Sequence, residues 1–239
     1  MDDIFALADE LGPLKVIHVQ EQSIGLKGVL VVDNVAKGPS IGGIRMAPDV
    51  TTAEVFRLAR AMTWKNALAG IPHGGAKSAI LADPATPNKE TLIRQFARAM
   101  ESLKGYIPGP DMGTDEVAMG WVRDEIGRSV GLSKVLGGIP LDQIGATGYG
   151  LAICAEVAQE FAGVELEGAR VVVQGFGNVG SHAARYLGER GAVLVAASDL
   201  DGTVYDPGGI DIEKLTAEKE ETGRVTTYDG GEKLGIDAW

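Results

Sequence analysis

A lysine follows two glycines in "IPHGGAKSAI", residues 71–80, and precedes the apolar run Ala79-Ile80-Leu81. Lysine stems usually lie on polar faces with the ammonium in water. Lys77 therefore reads in two ways: an incidental lysine in a tight turn, or an ammonium that touches whatever the glycines let the backbone approach. Twelve residues upstream, Lys65 sits beside Trp64, late in a helical pattern. A basic side chain there also complements the helix dipole, so a binding role and a purely helical one stand level. Asp111, in "PGPDMGTD", reads by itself as a loop or helix-capping acid. Cys154, in "GLAICAEVA", reads as a small buried apolar side chain rather than a nucleophile. His18, His73 and His182 show no metal-ligand spacing, and no metal site is expected.

A second cluster has a defined chemistry. Gly175, Gly177 and Gly180 fit G-x-G-x-x-G, with Phe176, Asn178 and Val179 between them. The pattern follows the strand-like run Val171–Val173, opens a helix, and lies 19 residues before Asp199 at the end of the next strand-like run. In such a unit the first glycine makes the turn, the second lets a pyrophosphate approach the backbone, and the third lets helix and strand pack. The amides of the helix N-terminus then face phosphate, and Asp199 accepts from the adenosine ribose hydroxyls. The glycines alone would equally suit a turn without ligand. An Asp199 carboxylate repels a 2′-phosphate, and "DLDG" offers no lysine or arginine to offset it, so NAD is expected over NADP, with NADP left open.

These residues need elements to position them, and the expected class is α/β. A strand is expected over 28–36, then a loop over 37–50. A helix follows from Thr51, with Glu54 completing a capping box and Val55, Leu58, Ala59 and Met62 at helical spacing up to Gly70. "SAILA" reads as a short strand. A helix runs from Pro87 to Gly105, a Pro/Gly-rich loop covers 105–115, and a third helix runs to Arg128. Beyond "GGIPLDQIG" a helix over about 147–162 leads into strand, glycine turn, helix and strand, a βαβ unit. Two domains are expected, 1–140 and 141–239. With 45% apolar residues, 23% charged residues and net charge −11, the chain has a globular composition and does not suit nucleic acid or an anionic membrane. One cysteine and an acidic N-terminus point to the cytoplasm.

Taken together, "RLARAMTWKNALAGIPHGGAKSAILADP", "GPDMGTDE", "ATGYG" and "VVVQGFGNVG" resemble the glutamate/leucine/phenylalanine/valine dehydrogenases over roughly residues 25–205. The resemblance implies an N-terminal α/β substrate domain that also forms a homo-oligomer, and then a partial Rossmann dinucleotide-binding domain. It implies NAD(P)-dependent, reversible oxidative deamination of an L-amino acid to the 2-oxo acid and ammonia. Lys65, assisted by amides near Gly42 and Gly43, would bind the substrate carboxylate. Lys77 would be the catalytic lysine, its basicity tuned by burial and a second ammonium from roughly pKa 10.4 toward neutrality. Asp111 would exchange a proton with the amino group, and Thr147 would lie near the nicotinamide. Glutamate-specific members carry a lysine where Ile41 stands, which tilts the expectation to apolar side chains, with glutamate as the alternative. The sequence stops where the family's nucleotide domain would continue. A truncated chain is therefore expected, with strand 192–197 lacking neighbours. A non-catalytic NAD-binding paralogue and a shikimate-dehydrogenase-like oxidoreductase are the competing readings.

Overall fold

The computed structural model describes residues 4–238, and the chain divides between Pro140 and Leu141 into two compact units. In the first, β1 (Lys15–Glu21), β2 (Leu26–Asn34), β3 (Ser40–Met46), β4 (Gly74–Ile80) and β5 (Tyr106–Pro110) form one sheet in the order β1-β2-β4-β3-β5. The β1–β2 and β2–β4 pairs are antiparallel, whereas β3 is parallel to both β4 and β5. Strand side chains alternate between faces. Val29 and Val31 thus pack with Val55, Phe56 and Ala59 of α1 (Thr52–Leu68). Leu30 and Val32 pack on the other face with Ile93 and Phe96 of α2 (Lys89–Ala99) and Met119 and Val122 of α3 (Glu116–Ile126). Coverage of both faces explains why "GVLVV" is a continuous apolar run rather than an alternating one.

Several local expectations need correction. The stretch 37–50, expected as a loop, contains β3, which lies between two partners and is largely buried. Its two glycines lower strand propensity and so hide it. The stretch 105–115 contains β5, whose Pro108 and Pro110 lack a backbone donor. A sheet edge tolerates that, and among the described residues β5 pairs only with β3. The glycine pair expected in a turn lies inside β4, all seven residues of which are buried. Thr51 Oγ1 accepts from the Glu54 amide at 3.2 Å, but the Glu54 carboxylate turns to Arg45 instead of completing the box. The second helix ends at Ala99, short of Gly105.

The second unit holds α4 (Ala146–Ala162), β6 (Arg170–Gln174), α5 (Asn178–Gly188), β7 (Val193–Asp199), β8 (Gly202–Tyr205), α6 (Ile212–Thr222) and β9 (Glu232–Leu234). Its sheet runs β6-β7-β8-β9, with β6 and β7 parallel around α5 and β8 and β9 added antiparallel. Phe176, Ala184, Leu194, Ala197, Val204 and Leu215 form its core. Strand 192–197 was expected to lack neighbours, yet β7 is internal and β6 is the open edge beside it. Cys154, expected to be buried, is exposed. The stripe that α4 buries carries Gly148 and Ala152, one turn apart, and Cys154 lies off that stripe. Among the described residues no helix is long and apolar enough to cross a membrane.

Candidate active site

Alternation along β4 sends Gly75, Lys77 and Ala79 toward α1. Ala79 joins the α1 core, and a Cβ on Gly75 would drive into the backbone of Thr63 and Ala59. The glycines at 74 and 75 therefore do not bend the chain around a ligand. They let β4 press against α1 and, at Gly74, against the Asn34 carbonyl. Lys77, only 5% exposed, is thereby held beneath the helix. Its Nζ donates to Asp111 Oδ1 at 2.7 Å.

Asp111 follows the last residue of β5 and is clamped into the sheet. Its amide donates to Thr114 Oγ1 at 3.0 Å, and that hydroxyl donates to the Ile44 carbonyl of β3 at 2.8 Å. Arg45 Nε donates to Asp111 Oδ2 at 2.8 Å, and Arg45 Nη1 reaches Glu54 Oε1 at 2.5 Å. Burial raises the Asp111 carboxyl. The Lys77 and Arg45 bonds and charges outweigh it and hold the group below the usual carboxylate range. Arg45 is the residue that sequence reasoning missed. Its signal, the lone cation of "GGIRM", lay in a stretch read as loop.

The other residues expected here fall around this pair. Gly43 packs on Asp111, since a Cβ there would stand 2.7 Å from the Asp111 Cβ. Gly42 presses on Ala76 of β4, and its carbonyl accepts from the buried Tyr106 hydroxyl at 2.8 Å, which also bonds Ser78 Oγ. Ile41, half-buried, lies in register with Gly75 and Ile107. Lys65 is exposed on the last turn of α1 and forms no side-chain bond among the described residues, whereas its neighbour Asn66 ties that turn to the Gly74 carbonyl at 2.7 Å. The charged partner of Lys77 is thus a carboxylate and not the second ammonium that was expected.

In the second unit the glycine turn has the geometry its pattern requires. Gly175 has φ +88°, which L side chains rarely adopt, and its amide bonds the Ser198 carbonyl at 3.1 Å. Gly177 is the N-cap of α5 without a side-chain cap, and a Cβ there would meet nothing within 4 Å. The first-turn amides of Asn178, Val179 and Gly180 are therefore uncapped beside open space. A Cβ on Gly180 would collide with the Gly175 carbonyl and stand 2.9 Å from Val173 Cγ1, so the third glycine serves close packing. A cavity of about 630 Å³ opens beside the turn, lined by Gly177, Asn178, His182, Arg185 and Lys219 among others. Open amides, a positive helix end and nearby cations fit a dinucleotide's phosphates. Thr147 is exposed on the first turn of α4.

Asp199 departs from expectation. Its Oδ2 accepts from Lys219 Nζ and from the Val225 amide at 2.8 Å, and its Oδ1 accepts from the Asp201 amide at 2.9 Å. Burial raises this carboxyl, but these bonds, with Lys219 foremost, bring it below its ordinary value. The offsetting cation absent from "DLDG" is supplied from α6, 20 residues along the chain. Asp201 is likewise paired, with Arg224 at 2.7 Å.

A Lys–Asp pair held by one sheet, Lys77 buried and Asp111 half-buried, and a glycine turn of Rossmann type on another make this a two-unit α/β protein. Residues 14–128 match the Glu/Leu/Phe/Val dehydrogenase dimerisation domain and residues 137–237 the Glutamate/Leucine/Phenylalanine/Valine dehydrogenase domain, and the chain belongs to this family. It is 42% identical to a glutamate dehydrogenase of Aeropyrum pernix, over 84% of this chain and 51% of that protein. It is 37% identical to an NADP-specific glutamate dehydrogenase of Saccharolobus shibatae, over 98% and 60%. The hetero-hexameric glutamate dehydrogenase of Thermus thermophilus, solved in a leucine-bound form, superposes with TM-score 0.79 at 31% identity, over 91% of this chain and 57% of that one. The chain spans about half the length of the curated relatives it matches.

Proposed function

We propose that this protein carries out the reversible, NAD(P)-dependent oxidative deamination of an L-amino acid. The observation that carries the reading is the buried Lys77 paired at 2.7 Å with Asp111, in a chain of this family. When bound, a nicotinamide dinucleotide supplies the hydride acceptor. The first-turn amides of Asn178, Val179 and Gly180 would hold its pyrophosphate, Asp199 would accept from its ribose, and Thr147 would serve its nicotinamide end.

The remaining work falls to the first unit. Lys65, with amides near Gly42 and Gly43, binds the substrate carboxylate. Asp111, kept ionised by its two cations, takes a proton from the substrate ammonium and leaves the free amine. Lys77, once its ammonium has released a proton to solvent, takes a proton as the neutral amine from the water that attacks the resulting imine and, again as the ammonium, steadies charge on the carbinolamine oxygen. Assembly through the first unit and a cytoplasmic setting complete the proposal. The dimerisation domain matched there and the hexameric Thermus relative support assembly.

Two substrate readings rest on different observations. Ile41 provides an apolar surface where a side-chain carboxylate would need a cation, which favours apolar amino acids. The relatives' names favour glutamate. The cofactor also divides: Asp199 favours NAD, whereas Lys219 beside it neutralises the carboxylate and so lessens the repulsion of a 2′-phosphate. Reduction of NAD and of NADP, followed by absorbance with L-glutamate, L-leucine, L-valine and L-phenylalanine, tests all three points. Turnover with none of them would overturn the proposal. Turnover with glutamate alone would remove the role given to Ile41.

A further inference from the structure

Two cations of different kinds hold Asp111. Lys77 reaches Oδ1 on a flexible stem from β4, and Arg45 reaches Oδ2 through Nε from β3. An ammonium is a compact charge that can give up its proton, whereas a guanidinium stays charged and is a planar fork of fixed shape. Arg45 is also fixed at its far end. Its Nη1 lies 2.5 Å from Glu54 Oε1, and the amide of Glu54 is bonded to the Thr51 cap of α1. The Arg45 side chain is only 15% exposed, so little solvent competes for it.

Building on the deamination reading above, we propose that Arg45 is the positioning residue for Asp111. It grips Oδ2 while Oδ1 is free to exchange the Lys77 ammonium for the substrate's. In that exchange a substrate N–H bond breaks with its electron pair left on nitrogen, and an O–H bond forms on Oδ1. When Lys77 turns to the attacking water, Oδ1 loses its partner, and the grip on Oδ2 keeps the carboxylate from rotating away. The groups facing Asp111 are few. Lys77 comes from β4 and Arg45 from β3. Glu54 of α1 lies behind Arg45. The Tyr106 phenol of β5, which burial pushes up, adds no charge.

The test uses the 239-residue chain labelled with ¹³C at the aspartate carboxyls, with the Asp111 signal assigned by its loss in Asp111→Asn. In Arg45→Gln the Asp111 signal should titrate at a higher pH than in the wild type, and the acid limb of the kcat profile should move with it. Arg45→Lys keeps the charge but lacks a fork to span Asp111 and Glu54. Its titration should stay close to the wild type, while kcat falls by about 100-fold with little change in KM. This second variant decides the matter should Arg45→Gln not fold. An unmoved Asp111 titration in folded Arg45→Gln, or full kcat in Arg45→Lys, overturns the proposal. If the wild-type chain turns over no amino acid, the deamination reading fails, and the ¹³C titration still reports separately whether Arg45 governs the carboxylate.

Discussion

Lys77 of β4 and Asp111, just past the end of β5, meet at 2.7 Å although β3 separates those two strands in the sheet, and that contact makes both residues sensitive to any change in the other. Lys77→Ala should lower turnover by several orders of magnitude and leave dinucleotide affinity nearly intact. Lys65→Ala should chiefly raise the KM for the amino acid, because the carboxylate contact proposed for it would be common to ground and transition state. Steady-state kinetics with titrated cofactor separates the two, and ordinary turnover in Lys77→Ala would remove that residue from the chemistry. Asp111 should also contribute to acid stability. Its folded carboxyl lies below the ordinary value of 3.8, since Lys77 and Arg45 outweigh burial. A depressed folded pKa gives stability that is fully present above the unfolded value and is lost as pH falls through the folded one. Asp111→Asn removes that stability and leaves Lys77 buried without its counter-charge, a loss of about 3–5 kcal/mol. The difference in urea midpoint between wild type and Asp111→Asn should therefore be wide at neutral pH and close below 3.8. A difference that does not vary with pH would show that the pair is not ionised.

Among the elements, each glycine-rich segment makes its own prediction. If Gly75 serves packing, Gly75→Ala should destabilise by about 1–3 kcal/mol by forcing α1 off β4. Gly105→Ala, where a Cβ meets nothing within 4 Å, should be close to neutral in the same denaturation series. At the βα turn, Gly180→Ala should lower the melting temperature. Gly177→Ala, whose backbone φ of −97° suits any residue, should melt like the wild type yet bind dinucleotide weakly by calorimetric titration. Equal binding by wild type and Gly177→Ala would place the phosphates elsewhere. Much of this was legible in the sequence. The α1 helix follows from its Thr51 cap and apolar spacing, and the βαβ unit from three glycines between strand and helix. β3 and β5 were not legible, because glycines and prolines lower strand propensity and only sheet neighbours restore it. Nor were the ion pairs. Arg45 finds Asp111 across 66 residues and Lys219 finds Asp199 across 20, separations that no local period encodes.

For the molecule as a whole, an acidic chain of net charge −11 sets Lys77 and Arg45 against Asp111 and Glu54, so the charges of this cluster balance one another. The two units each have a sheet and an apolar core of their own. Within the first, β4 is flanked by β2 and β3 and buried along its whole length. Amide hydrogen exchange should accordingly be slowest over residues 74–80 and fast over the three-residue edge strand β9. Fast exchange across β4, read by mass spectrometry of its peptides, would contradict this. With β4 so protected, the ammonium of Lys77 is mounted on the part of the protein that opens least often, on a timescale of global unfolding rather than of loop motion. Substrate arrival would find that lysine already in place, and any slow conformational step in turnover would have to arise elsewhere in the chain.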